Sequence, residues 1–292
     1  MLWRCRDREI DLRHRTLVMG VVNVTPDSFS DGGRYTAPGA ALAHARRLLD
    51  EGADLLDLGG ESTRPGSQPV PADEQWRRIG PVVEALAGED RALISVDTSS
   101  ASVAERALLA GAHVVNDVTA RGDPAMAAVV ATAGAGLVLM HMRGTPADMQ
   151  RDPRYADAPA EVATFLGDRL AAAASAGIAR DRVALDPGIG FGKTPRHNLE
   201  LVARLETLVA LDRPVLVGTS RKSFIGQVLD LPVDQRLEGS LSSAAVAVFL
   251  GARIVRAHDV AATVRAVRVA DALREARQPT RPPPPGAGPR HR

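Results

Sequence analysis

The sequence predicts an α/β fold, a (β/α)8 TIM barrel in which outer helices surround a parallel, closed eight-stranded sheet. The length of 292 residues is one that such barrels reach as a single domain. Short runs rich in Val, Ile and Leu alternate with longer Ala- and Arg-rich segments of helical period, which indicates repeated βαβ units. Eight such pairs favour a closed barrel over an open sheet.

The elements follow one another in strict alternation. The predicted strands cover residues 16–23, 54–59, 92–97, 113–117, 136–142, 182–186, 214–219 and 253–258. The predicted helices cover residues 40–50, 72–86, 101–109, 124–131, 159–174, 195–209, 235–250 and 261–274. Gly52, Gly111 and Gly251 each stand just before a strand, where glycine suits the left-handed residue that ends a helix.

The domain organisation is simple. We expect the barrel to occupy residues 16–277. Residues 1–15 form an N-terminal extension, expected to be a hairpin that closes the bottom of the barrel. Residues 278–292 are rich in Pro and Gly and lack apolar residues, so a disordered tail is expected there.

Composition excludes several classes of partner. A net charge of +1 and an aromatic content of 3% argue against a nucleic-acid partner, which would favour a basic surface or stacking rings. No apolar run approaches the roughly 20 residues of a membrane span, and no secretory signal is recognisable. Cys5 is the only cysteine, which excludes an internal disulfide. A cytoplasmic protein that binds small molecules, with no membrane partner, is therefore expected.

Every predicted strand ends in polar residues. In chain order these are Asn23, Gly59-Gly60-Glu61, Asp97, Asn116-Asp117, His141, Asp186, Ser220-Arg221-Lys222 and Arg256-Ala257-His258. The carboxyl ends of barrel strands meet at one mouth, where barrel enzymes build their active sites. Any one of these residues could instead cap a helix or complete a turn. Eight together favour a site, although some must be caps only.

Three strand ends carry hydrogen-bond acceptors. Asp97, Asn116 and Asp186 each follow a run that should be buried on both faces of the sheet. A buried carboxylate without a partner is unfavourable, and a ligand ring with adjacent N–H and NH₂ donors would satisfy it. This pattern matches the edge of an aminopyrimidinone. For Asp186, which precedes Pro187 and Gly188, the alternative is a simple turn.

The last two strand ends carry cations. Ser220-Arg221-Lys222-Ser223 follows the seventh predicted strand, and Arg256 and His258 end the eighth. Loops at these positions of barrels commonly bind phosphate, and Arg can grip phosphate oxygens in a fork. Phosphate or pyrophosphate is the expected ligand group. The Gly-rich segment 188–194 is not a Walker loop, because Pro187 stands where that motif requires Gly.

Two polar loops follow the first and second strands. The Asn23 side-chain oxygen could join water and phosphate oxygens around Mg²⁺, an ion that keeps few protein ligands. The second loop offers Thr63 and Arg64, which could close over an anion. A structural turn and a solvated arginine are the alternative interpretations.

Taken together, these motifs resemble the dihydropteroate synthase family, the folate-pathway enzymes that sulfonamides inhibit. The strings that carry the resemblance are GVVNVTPDSFSDGG (20–33), LGGESTRPG (58–66), SVDTS (95–99), VVNDV (114–118), VLMHM (138–142), LDPGIGFGKT (185–194), VGTSRKSFIG (217–226) and RAHDV (256–260). The resemblance implies a transferase that joins 4-aminobenzoate to 6-hydroxymethyl-7,8-dihydropterin diphosphate. The products would be pyrophosphate and 7,8-dihydropteroate. It also implies Mg²⁺ and a homodimer.

The resemblance also implies roles for individual residues. The pterin would be held by Asp97, Asn116, Asp186 and Lys222, with Thr63 close by. The diphosphate and its Mg²⁺ would be served by Asn23, Arg64, Arg256 and His258, with Asn23 as the metal ligand. The 4-aminobenzoate site would be formed by Phe29, Thr63, Pro65, Phe191, Arg221 and Ser223. The groups expected to act in catalysis are Asp97, Asp186, Lys222 and Arg256.

Two other functions share these features. One is the pterin-binding domain of a corrinoid-dependent methyltransferase, and the other is a non-catalytic pterin-binding protein. The intact segments 220–223 and 256–258 argue against the methyltransferase, which would be expected to lack them. Ala257 departs from the larger aliphatic residue usual in the family, which should affect packing more than anion contact.

Overall fold

The computed structural model describes residues 1–25, 37–62, 67–91, 93–120 and 122–277. The strands are β1 (Leu2–Cys5), β2 (Arg8–Asp11), β3 (Leu17–Asn23), β4 (Leu55–Gly59), β5 (Leu93–Asp97), β6 (Val114–Asp117), β7 (Gly136–Met140), β8 (Val183–Asp186), β9 (Leu216–Val217) and β10 (Ile254–Ala257). The helices are α1 (Ala37–Asp50), α2 (Ala72–Ala87), α3 (Ala101–Leu109), α4 (Met126–Ala133), α5 (Ala158–Ser175), α6 (Pro195–Ala203), α7 (Glu206–Val209), α8 (Ser223–Leu229), α9 (Leu237–Phe249) and α10 (Val260–Ala276).

Strands β3 to β10 form one parallel sheet that curls into a barrel. The strand order is β8-β7-β6-β5-β4-β3-β10-β9. The two edges meet where Leu185 bridges to Val215 and the Leu185 amide donates to the Pro214 carbonyl at 2.8 Å. The predicted TIM barrel is confirmed, and each barrel strand lies within its predicted range.

The helices differ from the prediction at two places. The predicted helix 195–209 is divided into α6 and α7, because Arg204 leaves the helical conformation at φ −118° and ψ 34°. Its guanidinium donates to Asp157 at 2.9 Å, and the next residue, Leu205, is fully buried. Helix α8 was not predicted, since seven residues are too few to show a period. Gly52, Gly111 and Gly251 have positive φ angles of 100°, 112° and 116°, as predicted.

The amino-terminal end of the barrel is apolar and closed. Its inward-facing layer consists of Leu17, Met19, Leu55, Val114, Val138, Ala184, Leu216 and Ile254. The antiparallel hairpin β1–β2 packs Trp3 and Cys5 against this layer, and Trp3 Nε1 donates to the Arg182 carbonyl at 3.0 Å. Gly136 leaves room for the hairpin, since a Cβ there would lie 2.6 Å from Cys5 Sγ. Polar inward-facing groups are thereby confined to the opposite end.

Two further predictions concern membrane spans and the C-terminal tail. Within the described residues, no helix combines the length and the apolar character that a membrane span requires. The predicted Pro-rich tail, residues 278–292, lies outside the described residues.

Candidate active site

The carboxyl ends of the barrel strands surround one cavity. Its lining residues are Asp97, Asn116, Val118, Met140, Asp186, Phe191, Gly218, Ser220, Lys222 and Arg256. Six of these were predicted site residues, and the barrel brings them together from strands β5, β6, β8 and β10 and from the loops after β8 and β9. The cavity therefore combines carboxylate and amide oxygens with cationic side chains.

Two buried oxygens face the cavity without a donor. Asp97 and Asn116 are neighbours in the register of β5 and β6, and their side chains are 8% and 3% exposed. Among the described residues, neither Asp97 Oδ1 nor Asn116 Oδ1 has a hydrogen-bond partner. Because an unsatisfied buried acceptor costs free energy, these two oxygens mark the place where a ligand must supply donors.

A fully buried carboxylate, Asp57, organises the floor of the cavity. Its Oδ1 accepts a hydrogen bond from Ser95 Oγ at 2.6 Å. Its Oδ2 accepts from Asn116 Nδ2 at 3.0 Å and from Arg256 Nε at 2.7 Å. The Asn116 side chain is thereby turned so that its oxygen faces the cavity. Arg256 also donates from Nη2 to Asp97 Oδ2 at 3.1 Å, so one guanidinium joins two carboxylates.

The second carboxylate and the lysine form the opposite wall. Asp186 Oδ1 accepts from the Gly188 amide at 2.6 Å. Lys222 Nζ donates to the Ile189 carbonyl and lies 4.7 Å from the centre of the Phe191 ring. Burial raises the pKa of Asp186, and the nearby Lys222 charge opposes that shift. Burial likewise lowers the pKa of Lys222 to about 8, against the charge of Asp186.

The ionisation of Asp97 depends on the charged groups of the site. Burial raises its pKa to about 7, the charge of Asp57 acts in the same direction, and Arg256 opposes both. A bound donor facing Oδ1 would stabilise the ionised form. Charge on Asp97 and occupation of the cavity are therefore coupled.

The cationic end is built by the loops after β9 and β10. The His258 amide donates to Ser220 Oγ at 3.2 Å, and this hydroxyl lies 3.0 Å from His258 Nδ1. Arg221 is exposed and pairs with Asp259, with 2.9 Å between Nε and Oδ2. Arg221 and the exposed Ser223 are not among the residues that line the cavity.

Comparison with known proteins assigns the chain to a family. The model of the family described as pterin binding enzyme matches residues 19–258. Dihydropteroate synthase of Escherichia coli (strain K12) is 45% identical over 92% of this chain and 95% of its own length. The chain belongs to the dihydropteroate synthase family. Members of this family are transferases of folate synthesis.

Solved structures of the family carry ligands of the reaction. Xanthomonas albilineans dihydropteroate synthase with 4-aminobenzoic acid superimposes with a TM-score of 0.88 at 47% identity, covering 93% of this chain and 97% of that one. The same enzyme in complex with 7,8-dihydropteroate has a TM-score of 0.85 at 43% identity, with coverages of 94% and 98%. The dihydropteroate synthase fold thus extends over nearly the whole chain.

The loop after β8 shows why the family string LDPGIGFGKT is rich in glycine. Gly188, Gly190 and Gly192 have φ angles of 66°, 85° and 62°, in the left-handed region that favours glycine. A Cβ at Gly188 would overlap the His141 carbonyl oxygen, and one at Gly192 would overlap the Arg143 carbonyl oxygen. These glycines let the loop pack directly against the backbone that follows β7. This packing places Phe191 at the cavity.

The other predicted site residues divide into two groups. Asn23 is half-buried at the end of β3, with its Oδ1 beside Gly59. Phe29, Thr63, Arg64 and Pro65 lie outside the described residues. Sequence reasoning missed Asp57 and Ser95. The only sequence signal for Asp57 is a charged residue inside the apolar run Leu55–Gly59, where a buried carboxylate needs a partner.

Proposed function

We propose that this chain condenses 6-hydroxymethyl-7,8-dihydropterin diphosphate with 4-aminobenzoate, and that the described cavity is where the pterin binds. The observation that carries the proposal is the pair of buried, unpartnered oxygens on Asp97 and Asn116. The pterin ring presents an N–H and an NH₂ group on one edge, which are the donors these oxygens lack. Asp186 accepts from the ring on the opposite wall, and Lys222 donates to its oxygen.

The two ends of the cavity suit the charges of the reaction. The bond that breaks joins the pterin methylene carbon to the diphosphate oxygen, and its electron pair leaves with pyrophosphate. Positive charge then spreads over the pterin, where the carboxylates of Asp97 and Asp186 stabilise it. Negative charge grows on the leaving group, which the Arg256 guanidinium and the His258 side chain stabilise by hydrogen bonds from this end of the cavity.

The amine of 4-aminobenzoate then attacks the methylene carbon, and the proton that it loses passes to the departing pyrophosphate. We assign its ring to the face of Phe191, and its carboxylate to Arg221 and the Ser223 hydroxyl. The ion pair with Asp259 fixes the position of the Arg221 guanidinium. The family resemblance adds Phe29, Thr63 and Pro65 to this subsite and Arg64 to the diphosphate.

Magnesium is proposed as the cofactor, held on the protein side by Asn23. Among the described residues, no group of three or more His, Cys, Asp or Glu side chains could hold a metal ion. Mg²⁺ nevertheless fits, because it keeps several waters and binds substrate phosphates through few protein ligands. The half-buried Asn23 amide oxygen at the barrel mouth is a ligand of the right chemistry. When bound, the ion would neutralise charge on the leaving diphosphate.

The assay that tests the proposal measures pyrophosphate and 7,8-dihydropteroate together. Purified protein should release both in equal amounts only when the dihydropterin diphosphate, 4-aminobenzoate and Mg²⁺ are all present. Omission of 4-aminobenzoate and chelation of Mg²⁺ are the controls. Pterin binding without product would contradict a catalytic role.

We further propose that the chain forms a homodimer through an apolar groove between α6, α8 and α9. The groove is lined by Leu199, Val202, Ala203, Phe224, Ile225, Val228, Leu229, Gly239, Ser242, Ser243 and Val246. Large side chains are exposed there, with Val228 60% and Val246 47% exposed. An apolar surface of this kind is typical of protein interfaces. A second copy of the chain is the proposed occupant, as the family resemblance implies.

Sedimentation velocity tests the dimer. Val228→Glu should convert a dimer into a monomer, because a charge would be buried without a partner in the interface. Leu109→Glu is the matched control, since Leu109 is 83% exposed on α3, away from the groove. A monomeric wild type, or a dimer unaffected by Val228→Glu, would contradict the proposal. We also place the enzyme in the cytoplasm, in keeping with a single, buried cysteine.

A further inference from the structure

A buried lysine outside the substrate cavity connects two of its supporting elements. Lys193 is 2% exposed and follows the Gly-rich loop after β8. Its Nζ contacts His141 Nδ1 at 2.9 Å, the His141 carbonyl oxygen at 3.2 Å and the Phe191 carbonyl oxygen at 2.9 Å. One amino group thus joins the end of β7 to the residue whose ring lines the cavity.

The surroundings of this contact are tightly packed. His141 is 5% exposed, and its ring meets the Phe165 ring edge-on with centroids 4.9 Å apart. The Tyr155 hydroxyl donates to the Gly192 carbonyl at 2.8 Å. The loop also has hydrogen bonds from Lys222 to Ile189 and between Asn198 and Gly190. Lys193 is the side chain that holds the Phe191 carbonyl itself, and we call this contact the tether.

Both protonation states of the amino group preserve the connection. An ammonium group has three donors for the three acceptors, provided that the His141 proton is on Nε2. Burial and the nearby charge of Lys193 lower the pKa of His141 to about 3, so the imidazole is neutral. Burial also lowers the pKa of Lys193, while Asp186 opposes this shift and Lys222 and Arg143 add to it. An uncharged amine would keep both carbonyl contacts.

We propose that Lys193, with His141 as its partner, is a positioning residue that holds the Phe191 ring in place for 4-aminobenzoate. The proposal rests on the function proposed above, because it takes Phe191 as part of that subsite. Asp186 is positioned by strand β8, at whose end it lies, and not by a contact with Lys193. Loss of the tether should therefore weaken the binding of 4-aminobenzoate much more than the binding of the pterin.

The test compares two constants for Lys193→Met, which keeps an unbranched apolar side chain but removes the donors. The KM for 4-aminobenzoate should rise about tenfold, which corresponds to about 1.4 kcal/mol of lost binding free energy. The Kd of the dihydropterin diphosphate, measured calorimetrically without 4-aminobenzoate, should stay within about twofold, less than the effect of any direct contact. Lys193→Gln should give a smaller rise in KM, because its amide keeps two donors.

Arg274→Met is the matched control. Arg274 is also a buried cation, 9% exposed, and donates to the Val248 and Ala252 carbonyls far from the cavity. The Arg274→Met variant should be less thermally stable than the wild type, with unchanged KM for 4-aminobenzoate and unchanged Kd for the pterin diphosphate. Unchanged KM in both Lys193 variants, or parallel changes in KM and Kd, would overturn the proposal. Absence of turnover by the wild type would instead overturn the proposed function.

Discussion

The Asp57 carboxylate and the Arg256 guanidinium, 199 residues apart in the chain, meet at 2.7 Å inside the barrel. Asp57 is fully buried, whereas the Arg256 side chain is 23% exposed, so the cation reaches the cavity while its counter-ion does not. Asp57 does not line the cavity itself, but it hydrogen-bonds to two residues that do, Asn116 and Arg256. It sets the direction of both Arg256 and Asn116.

We therefore expect Asp57→Asn to damage both stability and turnover. The free energy of unfolding should fall by about 2–3 kcal/mol, somewhat less than for a fully buried ion pair because Arg256 is partly solvated. Turnover should fall about 10²-fold, as for loss of one preorganised donor at the leaving group. Urea unfolding and product formation measure the two effects. Ser95→Ala removes the donor to Asp57 Oδ1 but leaves the Asp57–Arg256 pair intact, so it should cost about 1.5–3 kcal/mol of stability with a smaller loss of turnover.

The pH profile of kcat/KM for the pterin substrate should be bell-shaped. Asp97 has a pKa of about 7 in the free enzyme, so its carboxylate is lost as the pH falls through that value. Lys222 has a pKa of about 8, so its ammonium is lost as the pH rises through that value. Activity should therefore be highest between the two. Asp97→Asn should abolish the acidic limb, and a wild-type profile without limbs would contradict this assignment.

Lys222→Ala should lose pterin affinity while remaining folded, because Lys222 lies at the barrel mouth. The loss in kcat/KM should be on the order of 10²–10³-fold. The Lys222 charge opposes the rise in the pKa of Asp186, so the variant should raise that pKa further and its binding defect should grow as the pH falls. Calorimetric titration with the pterin at several pH values checks both effects. Wild-type affinity in the variant would exclude Lys222 from the site.

Gly188→Ala should destabilise the protein by at least about 2 kcal/mol, because the added Cβ meets backbone and the residue has a positive φ. The atom that the added Cβ would meet is the His141 carbonyl oxygen, which belongs to the backbone just after β7. Gly88→Ala is the matched control, since Gly88 has φ −70° and a Cβ there would make only ordinary contacts. Equal unfolding midpoints for the two variants would show that the loop tolerates a side chain.

Much of this architecture is readable from the sequence, because strand and helix periods are local. The meeting of Asp97, Asn116 and Asp186 was also predictable, since the ends of parallel strands share one edge of a barrel. Asp57 could not be assigned in this way, because its partners Ser95, Asn116 and Arg256 lie on three other strands.

Local signals also failed where tertiary contacts decide the structure. No Gly or Pro marks the break between α6 and α7, where an ion pair and a buried leucine end the helix. The role of His141 was equally hidden, because its partner Lys193 stands 52 residues further along the chain. Nothing near either residue in the sequence points to the other.

The hairpin that closes the bottom of the barrel bears on the order in which the protein folds. Trp3 hydrogen-bonds through Nε1 to the carbonyl of Arg182, which is made 179 residues later. Contacts across so long a stretch of chain form slowly, since the loop must close first. During synthesis, the hairpin can complete its native packing only after β7 and Arg182 have been made. A nascent chain that stops short of β8 leaves Trp3 without its acceptor and the apolar layer beneath it open to water.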